Sequence, residues 1–143
     1  MSPPAWFFGA LVAMQVLHVV LPGGRWLTPP ATVLGVVPIA LGAALHAWAL
    51  RAFRTAGTTV EPEGRPARLV LLGPYARTRN PMYLAGAPIL VGLATLLGTV
   101  VPVLVVLVYL GAATRWVERE ESLLSERFGE EWERYRASVP RWL

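Results

Sequence analysis

Four long apolar runs decide what this chain can fold into. Residues 5–21, 32–50, 81–98 and 100–117 carry a single charged side chain between them, Arg115. Coiled into helices that rise 1.5 Å per residue, each run approaches the thickness of a hydrocarbon layer of about 30 Å. In a chain of 143 residues, four such crossings leave no material for a second domain. Composition agrees, since 55% of the residues are hydrophobic and only 15% charged, too apolar for a water-soluble domain of ordinary make-up. The fold class implied is all-α and integral to a membrane, with about four transmembrane helices in one domain.

Local punctuation divides the chain further. The first run ends at Pro22, Gly23 and Gly24, which stop a helix. No arginine or lysine precedes it, so it reads as a retained helix and not a signal peptide. In the second run Gly35, Gly42, Ala43 and Ala47 are small enough for a neighbouring helix to approach closely, and Pro38 predicts a kink. Gly98, Thr99 and Pro102 permit a tight reversal between the last two runs, which makes a helical hairpin that either crosses fully or re-enters. The organisation expected is two transmembrane helices over 1–53, a cytoplasmic loop over 54–80 with an apolar island at 69–72, the hairpin over 81–117, and a cytoplasmic amphipathic helix over 118–143, breakable at Gly129.

Twelve of the thirteen arginines lie between residues 51 and 80 or after residue 114. The positive-inside rule assigns both segments to the cytoplasm, so both ends of the chain are expected there, in a bacterial or archaeal cytoplasmic membrane. These arginines flank apolar runs and alternate with glutamates, so the net charge of +4 does not indicate nucleic acid. Trp6, Trp26, Trp48 and Trp116, near helix ends, suit an interfacial aromatic belt. The absence of cysteine removes disulfides and thiolate chemistry. No paired metal-ligand motif occurs, and His18 and His46 are expected to bond to neighbouring helices and not to a metal.

One polar stretch stands out: GPYARTRNPMYLAG, residues 73–86, set directly against the third run. The hairpin returns the chain to the same membrane face, where Glu118, Glu120 and Glu121 follow the fourth run. Their meeting predicts a pocket at the cytoplasmic interface, lined by arginine, asparagine, tyrosine and glutamate.

That stretch, an apolar hairpin, and then EREESLLSERFGEEWERYRASVP resemble the C-terminal core of the isoprenylcysteine carboxyl methyltransferase family and related membrane methyltransferases, over about Leu69 to Pro140. The resemblance implies an S-adenosylmethionine-dependent methyltransferase acting on a lipid-like or isoprenoid acceptor that enters from the bilayer. It implies cofactor contacts from Tyr75, Arg79, Asn80, Pro81, Tyr83, Gly86, Glu120 and Glu121, with Arg79, Glu120 and Glu121 as catalytic candidates and no metal. Arg119, Tyr135 and Arg141 are further candidates to close the site from the tail. Many relatives carry histidine at the position of Asn80, and asparagine cannot titrate near neutral pH, so positioning is the role left to it. The competing reading is a non-catalytic four-helix membrane protein that binds lipid headgroups or a partner helix. A transporter subunit ranks last. The identity of the acceptor and the oligomeric state are left open.

Overall fold

The computed structural model describes residues 3–21, 23–57 and 68–143. They form five helices: α1 (Pro3–Val20), α2 (Val36–Thr55), α3 (Pro81–Leu97), α4 (Val100–Phe128) and α5 (Glu130–Ser138). Short 3₁₀ turns occupy Ala31–Gly35 and Gly73–Ala76. Among the described residues there is no strand beyond an isolated bridge between Arg25 and Thr99. Most of the loop expected over 54–80, residues 58–67, lies outside the described residues.

The second apolar run departs from expectation in one instructive way. Instead of one helix kinked at Pro38, it is a 3₁₀ turn over Ala31–Gly35 followed by α2 from Val36. Pro38 therefore sits in the first turn of α2, where proline is tolerated because the N–H it lacks has no partner within that helix. The reversal between α3 and α4 is as tight as the sequence suggested. Gly98 takes a left-handed conformation at φ 66°, which glycine adopts without steric cost, and Thr99 carries the chain into α4. Gly129, at φ 50°, separates α4 from α5.

Contacts along the helices establish an alternating course. Trp6 in α1 lies near Trp116 in α4, their rings 6.1 Å apart, while His18 Nδ1 shares a 2.8 Å hydrogen bond with Thr99 Oγ1 at the other end. His18 thus bonds to a neighbouring element, as its setting suggested. In α2, Gly42 faces Ala85 and Pro88 of α3, and Gly35 at its start faces Gly92, so these two helices are also antiparallel. The core between α1, α3 and α4 comprises Met14, Leu90, Ala94, Val106, Tyr109 and Ala113. One end of the bundle carries the 73–83 segment, the charged half of α4, and α5. The other carries Arg25 and the α3–α4 turn.

Glycine sets the α2–α3 spacing. A Cβ on Gly92 would lie 2.4 Å from the Gly35 carbonyl oxygen, and one on Gly35 would lie 2.3 Å from that of Gly92. Because the obstacle is backbone, neither side can move aside cheaply. Ala43 and Ala47, by contrast, are exposed. Gly92→Ala is expected to cost about 2–3 kcal/mol by overpacking, while Gly111→Ala, which meets nothing within 4 Å, should stabilise by up to about 1 kcal/mol through helix propensity. Thermal melts of the two variants in one detergent would check this pair of opposite signs; equal melting temperatures would contradict the packing described.

Large apolar side chains cover the outside of the bundle. Val12, Val16, Val19 and Val20 of α1, Val37 and Leu41 of α2, and Leu104, Leu107 and Val108 of α4 are all more than half exposed. Such a surface is unsuited to water and matches hydrocarbon. Two helical stretches, Ala31–Thr55 and Val100–Phe128, are long and apolar enough to cross a membrane, and the apolar lengths of α1 and α3 are shorter.

Candidate active site

The approach to α3 is held rigidly. Gly73, with φ 66°, packs where Trp48 Nε1 would lie 3.2 Å from any Cβ, so a larger residue would be both strained and crowded. Pro74 and Tyr75 are buried behind it. The Tyr75 ring meets Phe53 edge-on at 5.3 Å within a cluster that includes Ala49, Ala52 and Val70, while its backbone carbonyl accepts a 2.8 Å hydrogen bond from the Tyr135 hydroxyl. The 73–76 turn is thereby fastened to α2 on one side and to α5 on the other.

Asn80 stands at the N-cap of α3, with Pro81 buried at the first helical position, where proline is favoured. Asparagine is a strong capping residue, yet its side chain makes no capping bond here. Its amide donates instead to Glu121 Oε1 at 3.3 Å and to the Arg141 carbonyl at 3.3 Å. Local helix stability is forgone and the amide is directed into the polar cluster. The Asn80 backbone N–H, in turn, donates to Thr78 Oγ1.

Glu121 is the hub of that cluster. It is buried in α4, with Arg79 Nη1 at 3.2 Å from Oε1 and Arg141 Nη2 at 2.9 Å from Oε2. Arg141 Nε donates to the same Oε2 at 3.2 Å, and its Nη1 reaches Glu118 Oε1 at 3.3 Å. The Arg79 guanidinium also lies over the Trp132 ring, 5.7 Å from its centre. Two cations meet one buried carboxylate, in a setting where an unpaired charge would be costly. Burial pushes the Tyr135 phenol up to about 12, with Glu121 adding to the rise and Arg79 opposing it. It therefore stays protonated and serves as the donor to Tyr75. Hydrogen bonding to Glu121 likewise raises Arg141 above the ordinary guanidinium range.

Glu120 is the next residue along, turned by about 100° on the helix, and it faces Tyr83 of α3. It makes no ion pair among the described residues. Here the buried polar groups are left incomplete. Arg79 Nε, Arg79 Nη1 and Tyr83 Oη are the buried side-chain polar atoms without a hydrogen-bond partner among the described residues. The contact between Arg79 Nη1 and Glu121 is an ion pair by distance that lacks hydrogen-bond alignment. An unmet buried N–H costs about 1–3 kcal/mol; Arg79 Nε bears this in full, while Arg79 Nη1 is offset in part by its ion pair and Tyr83 Oη by the neighbouring Glu120 carboxylate, which lies close without an aligned hydrogen bond.

Of the residues singled out in the sequence, Arg79, Asn80 and Glu121 come together directly, with Tyr83 and Glu120 alongside. Tyr75 contributes its backbone carbonyl, and its ring belongs to the packing against α2. Pro81 shapes the start of α3. Gly86 makes room for the Tyr109 hydroxyl, which would lie 2.5 Å from a Cβ there, so helix packing accounts for its small size. Arg119 is exposed. Thr78 and Trp132 complete the cluster without having been candidates, and Glu118 joins it from the acidic group expected at this end. Trp132 lies in the tail expected as an amphipathic helix and is among the most deeply buried side chains. Its place in that helix did not say that its neighbour would be Arg79.

Two cavities adjoin the cluster. A groove of about 670 Å³ runs between Leu71, Ala76 and α5 residues such as Glu131, Arg134 and Tyr135; of the residues singled out in the sequence only Tyr135 lines it. A smaller apolar cavity of about 260 Å³ is bounded by Tyr83, Leu84, Ala87, Leu110, Ala113, Thr114 and Trp142. The smaller one is the more relevant, since it joins the unpartnered Tyr83 hydroxyl to the outer face of α3 and α4.

A family model described as Phospholipid methyltransferase matches residues 30–131. This is the family of integral-membrane methyltransferases that includes the isoprenylcysteine carboxyl methyltransferases. No match was found among curated proteins or among solved structures. The matched span starts well ahead of Leu69, where the motif resemblance begins, and so takes in α2 as well as α3 and α4. It includes Arg79, Asn80, Tyr83, Glu120 and Glu121 and stops before Trp132, Tyr135 and Arg141.

Proposed function

The chain belongs to the phospholipid methyltransferase family of membrane methyltransferases, and on that premise we propose that it is an S-adenosylmethionine-dependent enzyme acting on a lipid-tailed acceptor. The reaction centre is the end of the bundle where Arg79 and Glu121 meet. The single observation that carries this reading is the set of orphaned polar atoms, Arg79 Nε and Nη1 and Tyr83 Oη, flanked by Glu120 and Glu121. Anionic, cationic and hydrogen-bonding needs are present together, as a zwitterionic cofactor requires.

In this reading α1 to α4 are four crossings of one domain, α3 and α4 form a transmembrane hairpin, and the site lies at the cytoplasmic side with both ends of the chain. Arg79 would hold the cofactor's carboxylate through its unmet N–H groups, in the bidentate geometry that guanidinium favours. Glu121 would hold the ammonium group. Bound there, S-adenosylmethionine supplies an activated methyl group on a positively charged sulfur. Asn80 keeps the Glu121 carboxylate oriented and needs no proton of its own. The Tyr83 hydroxyl donates to the cofactor, Glu120 positions the reacting head of the acceptor, and the apolar cavity between α3 and α4 takes the adjoining part of its chain. Orientation and exclusion of water do the rest, worth roughly 7–11 kcal/mol in favourable cases.

Saturable binding of labelled S-adenosylmethionine to the folded protein in lipid nanodiscs tests this. Absence of binding would overturn it in favour of a site for lipid headgroups. The Tyr83 hydroxyl gives a sharper check. Tyr83→Phe should weaken cofactor binding about tenfold, the value of one hydrogen bond, yet leave the melting temperature of the empty protein unchanged or higher because a buried orphan is removed. A drop in melting temperature would mean that the hydroxyl is structural.

A further inference from the structure

Residues that follow α5 close over the cluster. The Pro140 carbonyl accepts a 3.0 Å hydrogen bond from the Arg79 backbone N–H. The Arg141 carbonyl accepts from Thr78 Oγ1 at 2.9 Å and from the Asn80 amide at 3.3 Å. The Arg141 guanidinium meanwhile takes up Glu121 Oε2 through Nε and Nη2 and Glu118 Oε1 through Nη1. Trp142, next in sequence, lines the apolar cavity beside Tyr83. Three consecutive residues thus cover both the polar cluster and the mouth of the cavity.

The two arginines on Glu121 are not equivalent. The Arg79 side chain is 9% exposed and rests on Trp132, whereas that of Arg141 is 32% exposed, on a segment without helical structure of its own. Val139 is buried against Trp132 and Tyr135, while Pro140 is exposed and Leu143 is 85% exposed. The segment is buried at Val139, held beyond it by hydrogen bonds and ion pairs, and open at Leu143. An arginine that is already near water loses little when it leaves its carboxylate; a buried one loses much more.

We propose that Pro140–Trp142 is a strap that shuts the site, with Arg141 competing with a cationic ligand group for Glu121 Oε2. The proposal rests on the reading above, in which that group is the ammonium of S-adenosylmethionine. Glu121 Oε2 accepts two N–H groups of Arg141 in the closed state, so an incoming ammonium must displace them. Apparent affinity is then lowered by the fraction of protein with the strap open. Release of the strap also withdraws Trp142 from the cavity, so the cofactor and acceptor compartments open together.

The test combines affinity with exposure. Labelled S-adenosylmethionine is titrated into the wild type, Arg141→Ala and Arg141→Lys in nanodiscs. Because the chain contains no cysteine, Trp142→Cys provides a unique thiol whose alkylation rate is followed with and without cofactor. The strap predicts about tenfold tighter binding by Arg141→Ala, corresponding to a strap closed roughly nine-tenths of the time. It also predicts that Arg141→Lys stays within about threefold of the wild type, and that the thiol is alkylated several-fold faster once cofactor is bound. Binding by Arg141→Ala but not by the wild type supports the strap in its strongest form. Equal or weaker binding by Arg141→Ala, or an alkylation rate indifferent to cofactor, overturns the strap and leaves the proposed function standing. No binding by any folded variant overturns both.

Discussion

Arg79→Ala removes measurable cofactor binding, with an expected rise in Kd of at least about 100-fold, while the protein still folds. The magnitude follows from what is lost. Truncating one member of a buried charge pair at a binding site costs about 2–5 kcal/mol, and Arg79 is the cation whose buried Nε and Nη1 make no hydrogen bond among the described residues. The fold survives because Glu121 keeps the two N–H groups of Arg141 on Oε2. Arg79→Lys should rescue only part of the affinity, since an ammonium cannot reproduce the planar fork of a guanidinium. Isothermal titration in nanodiscs, with circular dichroism as a control for folding, reads both quantities. Unchanged affinity in the alanine variant would assign Arg79 to lipid phosphate instead.

Glu121→Ala is expected to have the largest effect on stability, about 3–5 kcal/mol. Glu121 pairs with both Arg79 and Arg141. Its removal leaves the Arg79 guanidinium buried with no counter-charge among its described contacts, a recognised source of losses of this size. The corresponding fall in melting temperature is about 10–20 °C for a chain near 150 residues. Glu120→Gln provides the contrast. Glu120 holds no ion pair among the described residues, so this variant should melt within about 2 °C of the wild type, an energy change below about 1 kcal/mol. A Glu120 variant that melted as early as Glu121→Ala would contradict the division of labour between these neighbours.

That division was invisible in the sequence. Glu120 and Glu121 are adjacent, matched the same acidic motif, and were candidates for the same roles. Only the helical phase of α4, set by the burial of Val106, Ala113 and Val117, sends one toward Arg79 and the other toward Tyr83. The meeting of the 73–86 and 118–121 segments was legible, because a tight turn at Gly98 and Thr99 leaves antiparallel helices little choice but to bring those ends together. The helix break at Gly129 was legible for the same local reason.

What escaped the sequence was mostly a matter of which partner a residue meets. Pro38 announced a kink, but its effect depends on where the helix begins, and the 3₁₀ turn before Val36 moved that point. Gly86 matched the cofactor motif, while the reason for its size is the Tyr109 hydroxyl, 23 positions later in the chain. Trp132 and Trp142 carry the same apolar signal as the tryptophans at helix ends. One lies beneath Arg79 and the other lines a cavity, because α5 packs against the 69–76 stretch and the end of α4 and carries the following residues over the cluster.

The most direct test is to photolabel the protein in a bilayer with an azido analogue of S-adenosylmethionine and to map the modified peptides. The account predicts labels, competed away by unmodified cofactor, on peptides from both the 73–86 and 118–132 segments. Labels confined to α1 or to the Gly23–Ala31 loop at the opposite end of the bundle would contradict it.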